Sequence, residues 1–121
     1  MKDSSQMDSR SERHARNEAL FRTVNERIEE LVDETLERHA EGASVWDFVC
    51  ECHDRECAER IPLTRTEYEA IRSDGRRFVV APGPDHVDTS IENVVDMSTR
   101  YWVVEKLGEP GMFAEEHDPR D

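Results

Sequence analysis

Three cysteines fall within the ten residues "FVCECHDREC", positions 48–57, and the remainder of the 121-residue chain has none. An odd number argues against a closed set of disulfides. In a reducing compartment, clustered thiols bind metal or do redox chemistry more often than they cross-link a fold. Zinc takes four tetrahedral ligands of sulfur and nitrogen. "VWDFVCEC" alternates with the period of a strand, which places Trp46, Phe48, Cys50 and Cys52 on one face. The four residues between Cys52 and Cys57 let the chain curl back with a third thiolate. The fourth ligand must come from elsewhere. Of the histidines, His14 and His117 fall in expected tails, His39 ends a helix, and His53 follows Cys52 too closely to share its ion easily. His86 follows the rigid turn Pro82-Gly83-Pro84 at the end of a strand-like run and is the expected ligand. The expected site is structural Zn2+ on Cys50, Cys52, Cys57 and His86. Ordinary core thiols and a redox switch remain alternatives. Arg55 and Arg60 would lower the thiol pKa values in either metal or redox chemistry.

The rest of the composition shows why a staple is needed. Apolar residues make up 36% of the chain and charged residues 37%, so the core is small. The net charge of −13 repels nucleic acid and anionic membrane surfaces. Arg76-Arg77 reads as solvated edge charge. A local basic face built from Arg55, Arg60, Arg65, Arg72, Arg76 and Arg77 keeps nucleic-acid binding as a rival. No apolar run reaches the length of a membrane span, and "MKDSSQMDSRSERHAR" lacks the apolar stretch of a signal peptide. A cytoplasmic location is the default expectation, with no membrane partner.

Periodicity predicts an α+β fold: a long N-terminal helix followed by a small, mostly antiparallel sheet with one short helix and a zinc-binding loop. Residues 1–16 are polar and predict a disordered tail. Residues 17–42 predict an amphipathic helix with Leu20, Phe21, Val24, Ile28, Leu31, Val32, Thr35 and Leu36 on its inward stripe and Gly42 as a stop. Phe21, Val24, Ile28 and Leu31 also fit a short heptad seam for self-association or another protein. Residues 45–107 predict the zinc-stabilised α+β domain. Within it, "ERIPL" is an edge strand, and Thr64 and Glu67 form a capping box ahead of a helix burying Tyr68 and Ile71. "RFVVAP" reads as a central strand because both its sides are apolar. "SIENVVDM" and "RYWVVEK" form a hairpin through "STR", with a helical reading of 88–97 as the alternative. Residues 108–121 lose periodicity and predict a flexible tail.

"NEALFRTVNERIEEL", "FVCEC" with a later cysteine, "LTRTEYEAIRSDGRRFVVAPG" and "RYWVVEK" together resemble a family of small bacterial, mainly actinobacterial, Cys-x-Cys-x4-Cys proteins of unknown function. The likeness covers about residues 17–106. In that family a histidine directly follows Pro-Gly, whereas here Pro84 and Asp85 stand between Gly83 and His86. The resemblance implies an architecture and a site but no activity.

The chain has no Gly-rich phosphate loop, nucleophile elbow or His-Glu-x-x-His. Glu51, Asp54 and Glu56 could be nominated as a general base, but with 29 acidic residues a carboxylate near any site is expected by chance. The expectation is a non-enzymatic protein-interaction module stabilised by structural zinc. The alternatives are a thiol/zinc redox or metal sensor and a zinc-module regulator associated with nucleic acid.

Overall fold

A computed structural model describes residues 9–39 and 45–120. The element order is α1 (Ser9–His39), β1 (Val45–Val49), β2 (Arg60–Thr64), α2 (Arg65–Arg72), β3 (Arg77–Val80), a 3-10 turn (Pro84–His86), β4 (Glu92–Met97), β5 (Trp102–Lys106) and α3 (Gly108–Glu116). This is an α+β fold. β1 and β2 form an antiparallel hairpin, with Phe48 opposite Ile61 and Trp46 opposite Leu63. The other strands form an antiparallel sheet in the order β3-β5-β4.

The central strand is therefore β5, not β3. β3 is apolar on both sides because its free edge is covered rather than extended by another strand of its sheet. The Glu51 N–H donates to the Val79 carbonyl at 2.8 Å, and the Val79 N–H donates to Glu51 Oε1 at 3.0 Å. The expected hairpin of the last two strands forms, with an irregular register between Val94 and Asp96 that leaves Val95 exposed.

The capping box at α2 is complete: Thr64 Oγ1 accepts from the Glu67 N–H, and Glu67 Oε1 accepts from the Thr64 N–H. Tyr68 and Ile71 are buried as expected, and Tyr68 stacks on Phe48 with ring centroids 4.6 Å apart. Burying a ring such as Phe48 contributes about 1.5–3 kcal/mol. These residues join Cys50, Cys52, Phe78, Val79, Val80, Val103, Val104 and Ala114 in one core.

Two boundaries and one helix face differ from expectation. α1 begins at Ser9, so residues 9–16 are helical rather than tail; Ala15 is buried and His14 bonds Asp88 across the fold. Residues 108–116 form α3 rather than a flexible tail, because Ala114 enters the core and its carbonyl accepts from Arg22 Nη2 at 2.7 Å. The expected helix end at Gly42, with residues 1–8, lies outside the described residues.

The inward face of α1 coincides only in part with its apolar stripe, through Val32 and Ile28. Among its described side chains the buried ones are Ala15, Glu18, Arg22, Asn25, Glu29 and Val32, four of them polar or charged, while Leu20, Val24 and Leu31 are exposed. The reason lies in what the helix meets. Asn25 brackets Val49, with Oδ1 accepting its N–H and Nδ2 donating to its carbonyl, both at 2.8 Å. Arg22 donates to the Gly75 and Ala114 carbonyls, and Asn17 donates to the His53 carbonyl. Glu18 pairs with Lys106, which also pairs with Glu92, all three buried. α1 thus satisfies backbone groups at strand ends and loops that would otherwise be buried without partners.

Candidate metal centre

The centre is built at the closed end of the β1–β2 hairpin. The Cys50 N–H donates to the Glu59 carbonyl at 3.1 Å, which gathers residues 50–59 into one loop. Asp54 shapes its tip. Its Oδ1 accepts the Glu56 N–H at 2.9 Å and its carbonyl accepts the Cys57 N–H at 3.0 Å, a turn that brings Cys57 back beside the other cysteines. The facing wall is the chain leaving β3. Gly83 has φ of 126°, a conformation that favours glycine, and Pro84 starts the single turn that ends at His86.

Cys50, Cys52, Cys57 and His86 each offer a ligand atom, and the four atoms all lie within 4.8 Å of one another. Cys50 Sγ and Cys57 Sγ stand 3.6 and 3.8 Å from His86 Nδ1. Tetrahedral zinc, with sulfur at about 2.3 Å and nitrogen at about 2.0 Å, has sulfur–nitrogen edges of about 3.5 Å and sulfur–sulfur edges of about 3.8 Å. The four groups lie close enough to hold a metal ion. Cys50 and Cys52 are buried, while Cys57 and His86 are half-buried. The Ala81 N–H donates to Cys50 Sγ at 3.2 Å, the kind of outer bond that orients and tunes a metal thiolate.

The thiols hold their protons unequally. The hydrogen bond from Cys50, helped by one from His86, holds Cys52 down to about 5 against its burial. Cys50 is pushed up by its bond to Cys52 and by burial, and Cys57 is raised by burial. The dominant influences are the thiols themselves, burial and His86, rather than the Arg55 and Arg60 side chains expected from sequence. A bound cation would replace these protons, because the thiolate is the ligand.

The other histidines with described side chains stand outside the cluster. The His53 ring packs against that of His14, with centroids 4.6 Å apart. His14 Nδ1 meets Asp88 Oδ2 at 2.6 Å, and His117 lies on Phe113. The His39 side chain falls outside the described residues.

Sequence reasoning missed the role of Glu51. This carboxylate lies between two candidate ligands and is fully buried. One oxygen accepts the Val79 N–H and the other accepts Asn25 Nδ2 at 2.8 Å, so one side chain ties the cysteine loop to β3 and α1. Burial pushes its pKa up to about 7, against hydrogen bonds from Asn25 and Val79 that lower it. Both its oxygens are engaged, and Asp54 is used in its turn, so neither carboxylate stands idle beside the thiols. The available signal was an acidic residue set between two of the clustered cysteines.

No family model, curated protein or solved structure matches this chain. The functional reading therefore rests on the geometry of the residues themselves. No helix among the described residues is long and apolar enough to cross a membrane. The arginines nominated as a basic face are largely engaged with acids. Arg72 is buried between Glu26 and Asp118, Arg76 pairs with Glu115, Arg77 with Glu105 and Asp74, and Arg65 lies 4.0 Å from Glu29.

Proposed function

We propose that Cys50, Cys52, Cys57 and His86 hold one structural Zn2+ and that the chain works as a small, non-enzymatic protein-interaction module. The observation that carries this reading is the convergence of three sulfurs and one imidazole nitrogen within 4.8 Å of one another, with two sulfur–nitrogen separations close to the edge of a zinc tetrahedron. Four protein ligands complete a tetrahedron, whereas a catalytic zinc keeps one position for water or substrate. The partner, another protein or a second copy of the chain, would dock on α1, where Leu20 and Val24 are 59% and 40% exposed.

The test is metal content by elemental analysis of protein purified without chelators. Close to one zinc per chain is expected, and protein free of metal would overturn the reading. Size-exclusion chromatography with light scattering tests self-association, and Leu20→Ser with Val24→Ser should abolish it if α1 is the contact.

A redox or metal sensor is the second reading. Cys57 is only half-buried, so one sulfur of the cluster is within reach of an oxidant. Reversible zinc release by mild peroxide, with a change in hydrodynamic size, would favour it over a purely structural role.

A further inference from the structure

A second site lies beside the cysteine loop, between its tip and the first turns of α1. Arg10, Arg13, Arg16, His14, His53 and Arg55 line a cavity of about 580 Å³. Four guanidinium groups around one hollow are unexpected in a chain of net charge −13. Two are partly neutralised: Arg16 pairs with Glu12 at 2.8 Å, and Arg10 lies 3.5 Å from Asp88. Arg13 and Arg55 have no carboxylate within salt-bridge distance among the described residues, although Asp54 also lines the cavity. Asp54 contributes one negative charge, and its Oδ1 is already accepting the Glu56 N–H. The hollow therefore keeps a surplus of positive charge.

A second observation points the same way. His53 Nδ1 is enclosed and has no hydrogen-bond partner among the described residues. Buried polar atoms are seldom left so, and one that is asks for a water, an ion or a ligand. Asn17 lines the cavity too and anchors the His53 backbone by donating to its carbonyl at 3.0 Å. The site thus combines fixed backbone and unpaired guanidinium groups with an imidazole at its wall whose enclosed Nδ1 lacks a partner among the described residues.

We propose that this cavity binds the phosphate group of a small molecule. Guanidinium groups match the oxygens of a phosphate with paired, charge-assisted hydrogen bonds. The volume is within the range of small-molecule sites. The acidic surface elsewhere selects against a long polyanion, which needs an extended basic track, but admits a compact dianion that touches only this hollow. The site rests on its arginines and His53 and stands whether or not the four-ligand cluster is loaded with zinc.

The experiment is titration of the full-length protein, as purified, with inorganic phosphate and inorganic pyrophosphate. Calorimetry and 15N NMR are the readouts, with sodium chloride matched for ionic strength and a short single-stranded oligonucleotide as a further arm. Saturable binding of pyrophosphate or phosphate is expected, with shifts centred on Arg13, His53 and Arg55. The double variant Arg13→Glu, Arg55→Glu should weaken it by at least about tenfold, equal to about 1.4 kcal/mol. Both side chains lack ion pairs among the described residues, so the variant should fold, and an unchanged thermal melt and zinc content would verify this. If the double variant melts early, the shifts in the wild-type protein decide alone. Absence of saturable binding, undiminished binding by a folded double variant, shifts centred elsewhere, or tighter binding of the oligonucleotide than of pyrophosphate would each overturn the proposal.

Discussion

At the scale of single residues, His86 and Glu51 make opposite demands on a sequence reader. His86 is marked by the Pro-Gly-Pro turn ahead of it, and the turn does place its Nδ1 within 3.6 and 3.8 Å of two sulfurs. If it is the fourth ligand, His86→Ala should weaken metal retention by more than about tenfold in competition with a chelator, because even outer-shell changes cost tenfold or more. His53→Ala should leave retention close to wild type, since that ring packs on His14 outside the cluster. The reverse order would transfer the role to His53. Glu51 carries no motif. Its task is to meet one backbone N–H and one amide that lie far away in sequence. Removing its carboxylate takes the side-chain acceptor from the Val79 N–H and leaves the Asn25 amide with only the Val49 carbonyl, at about 1–3 kcal/mol for each lost bond. Glu51→Ala should therefore destabilise the fold by at least about 2 kcal/mol, measured by denaturant unfolding with metal present. A change below about 0.5 kcal/mol, the range of ordinary surface substitutions, would show that the joint is not needed.

At the scale of elements, what could be read depended on whether the deciding partners were local. The capping box of α2 lies within four residues, and both of its bonds form. The hairpins follow from alternation and short links. The inward face of α1 could not be read that way, because hydropathy registers apolar side chains, while this helix turns Arg22 and Asn25 toward backbone groups 24 to 92 residues away. Asn25→Ala should consequently cost more stability than Leu20→Ser and Val24→Ser together, as thermal melts of the monomer would register. α3 was missed for a similar reason: its docking depends on Arg22, and the segment after it is held by Arg120, which bonds Glu26, Glu29 and Glu69. Arg120, with Glu29, brings the Glu69 carboxyl down to about 2. A carboxylate whose pKa is depressed by folding stabilises fully above its unfolded value, near 4.3, and loses that contribution as pH falls toward 2. The stability gap between wild type and Arg120→Ala should be constant from pH 7 to about 5 and narrow below pH 4.5. A gap independent of pH across that window would mean that Arg120 acts by packing alone.

At the scale of the whole molecule, the question is what keeps two small sheets together. Among the described residues, their direct backbone link is the Glu51–Val79 pair, where the hairpin loop meets the edge of β3. The candidate centre bridges the same seam, with Cys50, Cys52 and Cys57 from the hairpin loop and His86 from the chain that leaves β3. An ion there would cross-link the two sheets at their junction, in addition to the apolar core they share. Small domains have net stabilities of about 5–15 kcal/mol, and structural zinc contributes on the order of 10 kcal/mol at neutral pH. Losing an ion of that weight cannot leave the junction as it was. Chelation should abolish the cooperative thermal transition and the near-ultraviolet dichroism of Trp46 and Trp102, both of which pack against the core. α1 should lose less of its far-ultraviolet helical signal, because a long helix keeps its internal hydrogen bonds when tertiary packing loosens. Returning zinc should restore the transition. The discriminating case is a chelated chain, verified free of metal, that melts at the same temperature and with the same cooperativity. Such a chain would show that the shared apolar core, the polar face of α1 and the Glu51 joint hold the sheets unaided, and that the four converging ligands serve something other than the fold.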